Sequence, residues 1–396
     1  MKIRHKKWLY AAVFLTSALL LTGCDSKEER AVKQAVSAEL DQLKSPDKKT
    51  IETYLSAHQL FPRRGHSRKR QRKKESADPE IIKIFSRYFK NFSYTVDTVK
   101  SKKKNASATV TITNLDAHAL AEDYTAAALK KRITCDANPS QVEFSLKDSY
   151  LLLGETLKKN DYKQVDTSFD LKLKKKGETW AIVHSEDLDN QITGGFLTYM
   201  ADSDLLPPPE VVKIHFNTIK EFDTEQLNIY LSLDSLLDTD DTYSSSIAHA
   251  MAEQIQACFD FKILDTQNDE RNALVKVQIT SSDFKSIMAS YQGQLSQWLQ
   301  TSQAMAGGAE GRREKERQLL LESIEQNQAS TTRDVDISLI NDGTSWKMQM
   351  DENVAQAILG GVDSALADVS ERRGIDMGCS DQGTVMNRQN ECPAWV

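Results

Sequence analysis

Residues 92–124 read FSYTVDTVKSKKKNASATVTITNLDAHALAEDY, and residues 259–291 read FDFKILDTQNDERNALVKVQITSSDFKSIMASY. The two stretches align without a gap at an offset of 167. Eight of the 33 positions are identical, among them Asn105/Asn272, Val110/Val277, Ile112/Ile279, Asp116/Asp283 and Tyr124/Tyr291. In the first copy Phe92, Tyr94 and Val96 alternate with polar residues, a turn falls at 102–105, and Ala106, Ala108, Val110 and Ile112 alternate again. Alternation with period two places one face of a strand in a core and the other in water, so each copy predicts a β-hairpin. A self-match at a long offset predicts a duplicated structural unit.

The prediction extends in both directions from this segment. Asp116 is placed to cap a helix running to about Lys131, and a second helix is expected over 146–159. Phe169, Leu171 and Leu173, then Trp180 and Ile182, outline a second hairpin turning at Lys176-Gly177-Glu178. A single helix over about 187–200 closes the unit. The counterparts recur: Gly343 for Gly177, Trp346 for Trp180, and Gly360-Gly361 for Gly194-Gly195. The matched tryptophans are expected in the core with each indole N–H on a backbone acceptor. The glycine pairs are read as sites of close helix packing, since they match no phosphate-binding pattern.

Upstream, spaced apolar residues predict helices over 31–43, 50–60 and 79–89, and Tyr54-Leu55-Ser56 matches Tyr230-Leu231-Ser232 at an offset of 176. The nine extra residues separating the two offsets fall where residues 63–74 carry eight cations in twelve positions. The first repeat therefore has a basic insertion. These readings divide the chain into 1–23 (leader), 24–30 (tether), 31–203 (first repeat), 204–210 (stiff Pro-rich linker), 211–370 (second repeat) and 371–396 (irregular tail). Helices laid on short antiparallel sheets make the expected fold class α+β, in two tandem repeats.

At 396 residues and 39% hydrophobic content, the chain can bury two cores. It carries 51 Lys and Arg against 57 Asp and Glu, a net charge of −6. Four of those cations (Lys2, Arg4, Lys6 and Lys7) lie at the extreme N-terminus, so the remainder is more acidic still, a balance that argues against general nucleic-acid binding. Those four precede the apolar run 8–21, which is too short for the roughly 20 residues that cross a bilayer. The run ends in Leu21-Thr22-Gly23-Cys24.

This layout resembles a bacterial lipoprotein signal peptide, and the four residues resemble its lipobox. The resemblance implies that Cys24 is acylated and becomes the first residue of the mature chain, held at the extracytoplasmic face of the cell membrane. With repeat and hairpins added, the chain resembles lipoproteins of low-GC Gram-positive bacteria that carry one or two cystatin-like or NTF2-like domains. That resemblance implies a binding role for the sheets.

Of the remaining cysteines, Cys135 and Cys258 are expected as small buried apolar residues, and Cys379 and Cys392 as a candidate disulfide. The seven histidines are scattered, and no spacing matches a metal site or cofactor motif. Asp238-Thr239-Asp240-Asp241 begins like a calcium loop but has Tyr243 where the turn needs Gly, and reads as a solvated acidic loop. Glu186-Asp187-Leu188-Asp189 reads as the acidic first turn of a helix. The basic insertion supplies candidate anion contacts: Arg63, Arg64, Arg68, Lys69, Arg70, Arg72, Lys73 and Lys74. Candidate partners are therefore the membrane through its anchor, an envelope protein, or an anionic envelope polymer. The expected function is a non-enzymatic interaction module of the envelope. The alternatives are an envelope enzyme or enzyme accessory with its site in a sheet cavity, and a solute-capturing lipoprotein.

Overall fold

The computed structural model describes residues 26–54, 79–138, 144–234, 242–362 and 364–365. The chain is α+β and is built from two tandem helix-on-sheet domains with four-stranded antiparallel sheets. Two compact units are distinguished: residues up to Ala121 with Leu153–Met200, and Glu122–Leu152 with Ala201 onward. Sequence repeat and compact unit thus divide the chain differently, because 122–152 are grouped with the second unit.

The first unit opens with α1 (Lys27–Lys44), α2 (Lys48–Tyr54) and α3 (Pro79–Tyr88). The start of α1 is set by a capping box: Ser26 Oγ accepts from the Glu29 N–H at 3.1 Å, and Glu29 Oε2 accepts from the Ser26 N–H at 2.8 Å. Residues 27–30, expected as tether, are therefore the first turn of a helix. Val32, Val36, Leu40 and Leu43 recur at helical spacing and are wholly buried. That stripe lies on the sheet, each such side chain contributing about 1.5–3 kcal/mol.

Strands β1 (Ser93–Lys102), β2 (Asn105–Leu115), β3 (Gln164–Lys176) and β4 (Thr179–Ile182) follow one another across the first sheet. Helices α4 (Ala117–Asp136) and α5 (Leu146–Lys159) stand between β2 and β3 in sequence. Ala106, Ala108, Val110 and Ile112 are buried, as the alternation requires. The second sheet repeats this plan with β5 (Asp260–Asn268), β6 (Asn272–Ser282), β7 (Ser330–Asn341) and β8 (Trp346–Met348). Its register matches residue for residue: Val96 faces Val110 and Val110 faces Phe169, while Ile263 faces Val277 and Val277 faces Val335. Both first strands shift register at one equivalent place, between Val96 and Thr98 and between Ile263 and Asp265. Such a bulge sharpens the twist of an edge strand and discourages pairing with another chain.

The closing helix is not continuous. It is α6 (Glu186–Ile192) followed by α7 (Phe196–Ala201), with Gly194 and Gly195 between them at φ of +65° and +84°. The Gly195 N–H donates to Asn190 O at 2.8 Å and the Gly194 N–H to Gln191 O at 3.0 Å, a Schellman closure that only residues tolerant of left-handed backbone make cheaply. The same closure ends α14 (Glu352–Ile358), where Gly361 donates to Gln356 O and Gly360 to Ala357 O. The glycine pairs therefore end helices. At Gly360 they also permit the close approach expected of them, because an added Cβ would lie 1.7 Å from Ser282 O.

In the second unit, α8 (Pro208–Lys220) begins within the run expected to be a linker. Pro207 is its N-cap and Pro208 and Pro209 fill its first turn, where missing N–H groups cost nothing; Leu205 is buried beside them. Then come α9 (Thr224–Leu231) and α10 (Thr242–Cys258), and after β6 the helices α11 (Phe284–Leu299), α12 (Ser302–Ala306) and α13 (Gly308–Glu325). Helix α8 places Val212, Phe216 and Ile219 in the core, at the positions that Val36, Leu40 and Leu43 hold in α1 at the offset of 176. Trp180 and Trp346 are both buried, but the Trp346 indole N–H donates to the Asp204 carboxylate at 2.8 Å rather than to a backbone carbonyl. A charged acceptor gives the stronger bond at this half-wet edge.

His215 faces the same core, and burial holds its imidazole down at about 4 from an ordinary 6.5. Its folded-state value lies below the unfolded one, so acid favours the unfolded chain. The second unit is expected to lose up to about 3 kcal/mol as pH falls from about 6.5 to about 4, and little more below that. Urea titrations across this range should show the slope in the native chain and a flatter one in His215→Gln. Parallel slopes would show that other groups carry the acid sensitivity.

Candidate functional site

The first unit holds a polar knot assembled from three separate segments. Tyr54, at the end of α2, donates its hydroxyl to Glu39 Oε1 on α1 at 2.7 Å. His184, just past β4, places Nδ1 3.0 Å from Asp189 Oδ1 in α6 and Nε2 3.6 Å from the same Glu39 oxygen. The Tyr54 and His184 rings meet at 5.7 Å. Tyr54 is buried, Asp189 nearly so, and Glu39 and His184 reach partway to solvent. Burial first, then the Glu39 carboxylate, hold the Tyr54 phenol far above its usual range, so it stays a donor.

Local sequence places each member. Ser185 caps α6 by accepting from the Leu188 N–H at 3.2 Å, which turns the chain so that Asp189 points back toward His184. Glu186, Asp187 and Asp189 all lie in that first turn, the favourable place for acids that their spacing suggested. At the other end of α6, the Tyr88 hydroxyl donates to Thr193 O at 2.7 Å, a buried bond at the helix C-cap.

The knot belongs to one repeat alone. Glu39 and Tyr54 correspond to His215 and Tyr230 at the offset of 176, and His184 and Asp189 to Met350 and Ala355 at 166. The shared fold accommodates apolar Met350 and Ala355 in place of His184 and Asp189, so backbone geometry does not require the ion pairs. Chemically, a neutral imidazole can donate to Asp189, and a protonated one faces carboxylates on both sides. Its members bond to one another, which orients them and ties α1, α2 and α6 together.

Elsewhere the chemistry is sparse. Cys135 and Cys258 are thiols, not disulfide-bonded, and only half-buried, a correction to the buried apolar residues expected. Desolvation raises both thiols, and the Cys258 S–H donates to Gln254 O at 3.0 Å. An open groove of about 670 Å³ between α10 and α13 is lined by Ser245, His249, Glu253, Leu321 and Glu325, with His249 Nε2 3.5 Å from Glu253. Among the described residues no three His, Cys, Asp or Glu side chains converge as a metal site, and no helix is long and apolar enough to cross a membrane.

Several sequence-derived sites lie outside the described residues. They are Leu21, Thr22, Gly23 and Cys24, the basic stretch from Arg63 to Lys74, the acidic loop at 238–241, and Cys379 and Cys392.

With this geometry in hand, the fold defines a class: α+β proteins of two tandem helix-on-sheet domains. No protein-family model matches the chain, and no curated protein matches it. Among solved structures the chain is similar to one described as a candidate lipoprotein, YcdA of Bacillus subtilis subsp. subtilis str. 168. The identity is 14% and the TM-score 0.26, over 69% of this chain and 94% of that one.

Proposed function

We propose that this protein is a lipid-anchored lipoprotein of the extracytoplasmic membrane face that works by binding an envelope partner rather than by catalysis. The observation that carries the reading is the position of Cys24 within Leu21-Thr22-Gly23-Cys24, two residues ahead of the Ser26 cap of α1. An acyl anchor on Cys24 would hold the first domain directly at the bilayer, without an intervening flexible arm. Two acyl chains give stable membrane association where one gives a marginal one. The binding role is supported by two four-stranded sheets with solvent-exposed outer faces, the second carrying Leu274 and Ile340 among its polar residues. On the first, Thr109 bonds Asp170, Thr111 bonds Asp97 and Ser168, and Thr113 bonds Asp166, each at 2.7 Å.

Cys24→Ala tests the anchor. Membrane fractionation and metabolic labelling with a fatty-acid analogue should both be lost in the variant. A variant that still fractionates with membranes in full would overturn the anchor.

A further inference from the structure

A dense cluster of lysines lies at one end of the first sheet. Lys100 and Lys102 sit at the end of β1, with Lys103 and Lys104 in the turn that follows. Lys172 and Lys174 sit at the end of β3, followed by Lys175 and Lys176. The register makes these two groups one surface. Lys100 faces Ser107, which faces Lys172, and Lys102 faces Asn105, which faces Lys174. The turns are stitched together where the Lys175 N–H donates to Lys104 O at 2.9 Å. The four outer-face lysines are exposed, and two strand spacings bring Lys100 within about 10 Å of Lys172 and Lys102 within about 10 Å of Lys174.

Folding does not require this concentration of charge. The second sheet has the same register and the same stitch, Asn341 N–H to Arg271 O at 2.8 Å. There the positions of Lys100, Lys102, Lys172 and Lys174 are held by Gln267, Asp269, Ser338 and Ile340. Like charges gathered this closely repel, and of these eight lysines only Lys175 has a carboxylate partner among the described residues. That partner locates the surface. It is Glu28, in the first turn of α1, with Oε1 3.0 Å from Lys175 Nζ. Three residues separate Glu28 from Cys24, and the chain from Cys24 to Ser26 spans at most about 7 Å. The basic tips and the expected anchor therefore share one end of the domain.

We infer that the paired hairpin tips of the first sheet are a membrane-docking surface that binds the anionic headgroups of the bilayer beside the anchor. The inference rests on the lipid-anchor reading for its placement. Each lysine near an anionic leaflet adds attraction within a Debye length, and a basic patch is the second signal that makes acyl anchoring firm. It also offsets the repulsion that an acidic chain meets at such a surface.

The test uses the full purified chain mixed with phosphatidylcholine vesicles, with or without phosphatidylglycerol. Lysine acylation rates are read by mass spectrometry. Lys100, Lys102, Lys172 and Lys174 should react about tenfold more slowly with phosphatidylglycerol present, recovering at high salt, while Lys262 and Lys276 of the second sheet stay unchanged. Equal rates on both vesicle types would overturn the inference. So would protection by a soluble anionic polymer where phosphatidylglycerol gives none. A chain carrying K100Q, K102Q, K172Q and K174Q should keep its melting profile and lose its phosphatidylglycerol-dependent sedimentation; retained sedimentation would overturn the inference. Intact mass reports acylation of Cys24 separately. Phosphatidylglycerol-dependent protection in a chain without acyl groups would sink the anchor and leave the docking surface standing.

Discussion

Gly360→Ala is expected to destabilise the second unit by more than about 4 kcal/mol, a large share of the roughly 5–15 kcal/mol that holds a domain folded. The added Cβ would sit 1.7 Å from Ser282 O and 2.9 Å from Ser282 C. Both are backbone atoms at the end of β6 and cannot rotate away. The strand end is also tied to α14 where the Ser281 hydroxyl donates to Ile358 O, so relief by separating strand and helix breaks that buried bond. Left-handed backbone at φ +70° adds its own cost of about 1–2 kcal/mol for a residue with a Cβ. Gly177→Ala is the control. Its φ of +61° carries a similar conformational cost, but nothing lies within 4 Å of the new methyl group. Urea denaturation of the two variants separates steric from conformational effects. Equal losses would mean that the approach of α14 to β6 relaxes freely.

Phe216→Ala is expected to cost about 3–5 kcal/mol in the same unit. The ring is wholly buried and packs edge-on against Phe259 at 5.7 Å and Phe261 at 5.1 Å. These two residues flank the start of β5, so truncation leaves a cavity under an edge strand and removes two aromatic contacts at once. Thermal melts of Phe216→Ala and Phe216→Leu are the comparison. Leucine should recover more than half of the loss, because it refills most of the volume. Identical melts for the two variants would show that the site collapses around either residue.

The strands were legible because their alternation is local. Ala106, Ala108, Val110 and Ile112 announce a half-buried strand whatever surrounds them, and the copy at Ala273, Val275, Val277 and Ile279 announces a second. The repeat then carried both turns and both closing glycine pairs. Where reading failed, a short-range choice had been made by neighbouring structure. The helix over 187–200 is broken because Gly194 and Gly195 close a Schellman turn, a conformation that composition permits but does not require. The Leu205–Pro209 run begins a helix because a buried Leu205 fastens it, where prolines alone suggest a free linker.

The sites divide in the same way. Leu21-Thr22-Gly23-Cys24, proposed above as a lipobox, is contiguous along the chain, so its reading needs no fold. The Glu39–Tyr54–His184–Asp189 knot had no linear signal, because its members come from α1, α2, the end of β4 and α6 and meet only after the sheet has formed. The same holds for the lysine surface. In sequence it is two ordinary polar turns; only the register of β1, β2 and β3 sums their charges on one face, and only the Glu28–Lys175 pair sets that end of the sheet beside the start of the domain. Sequence alone determined the fold class, the duplication and the expected anchor, because each depends on residues adjacent or periodic along the chain. Tertiary structure decided which polar residues act together, because electrostatic interaction depends on distance in space.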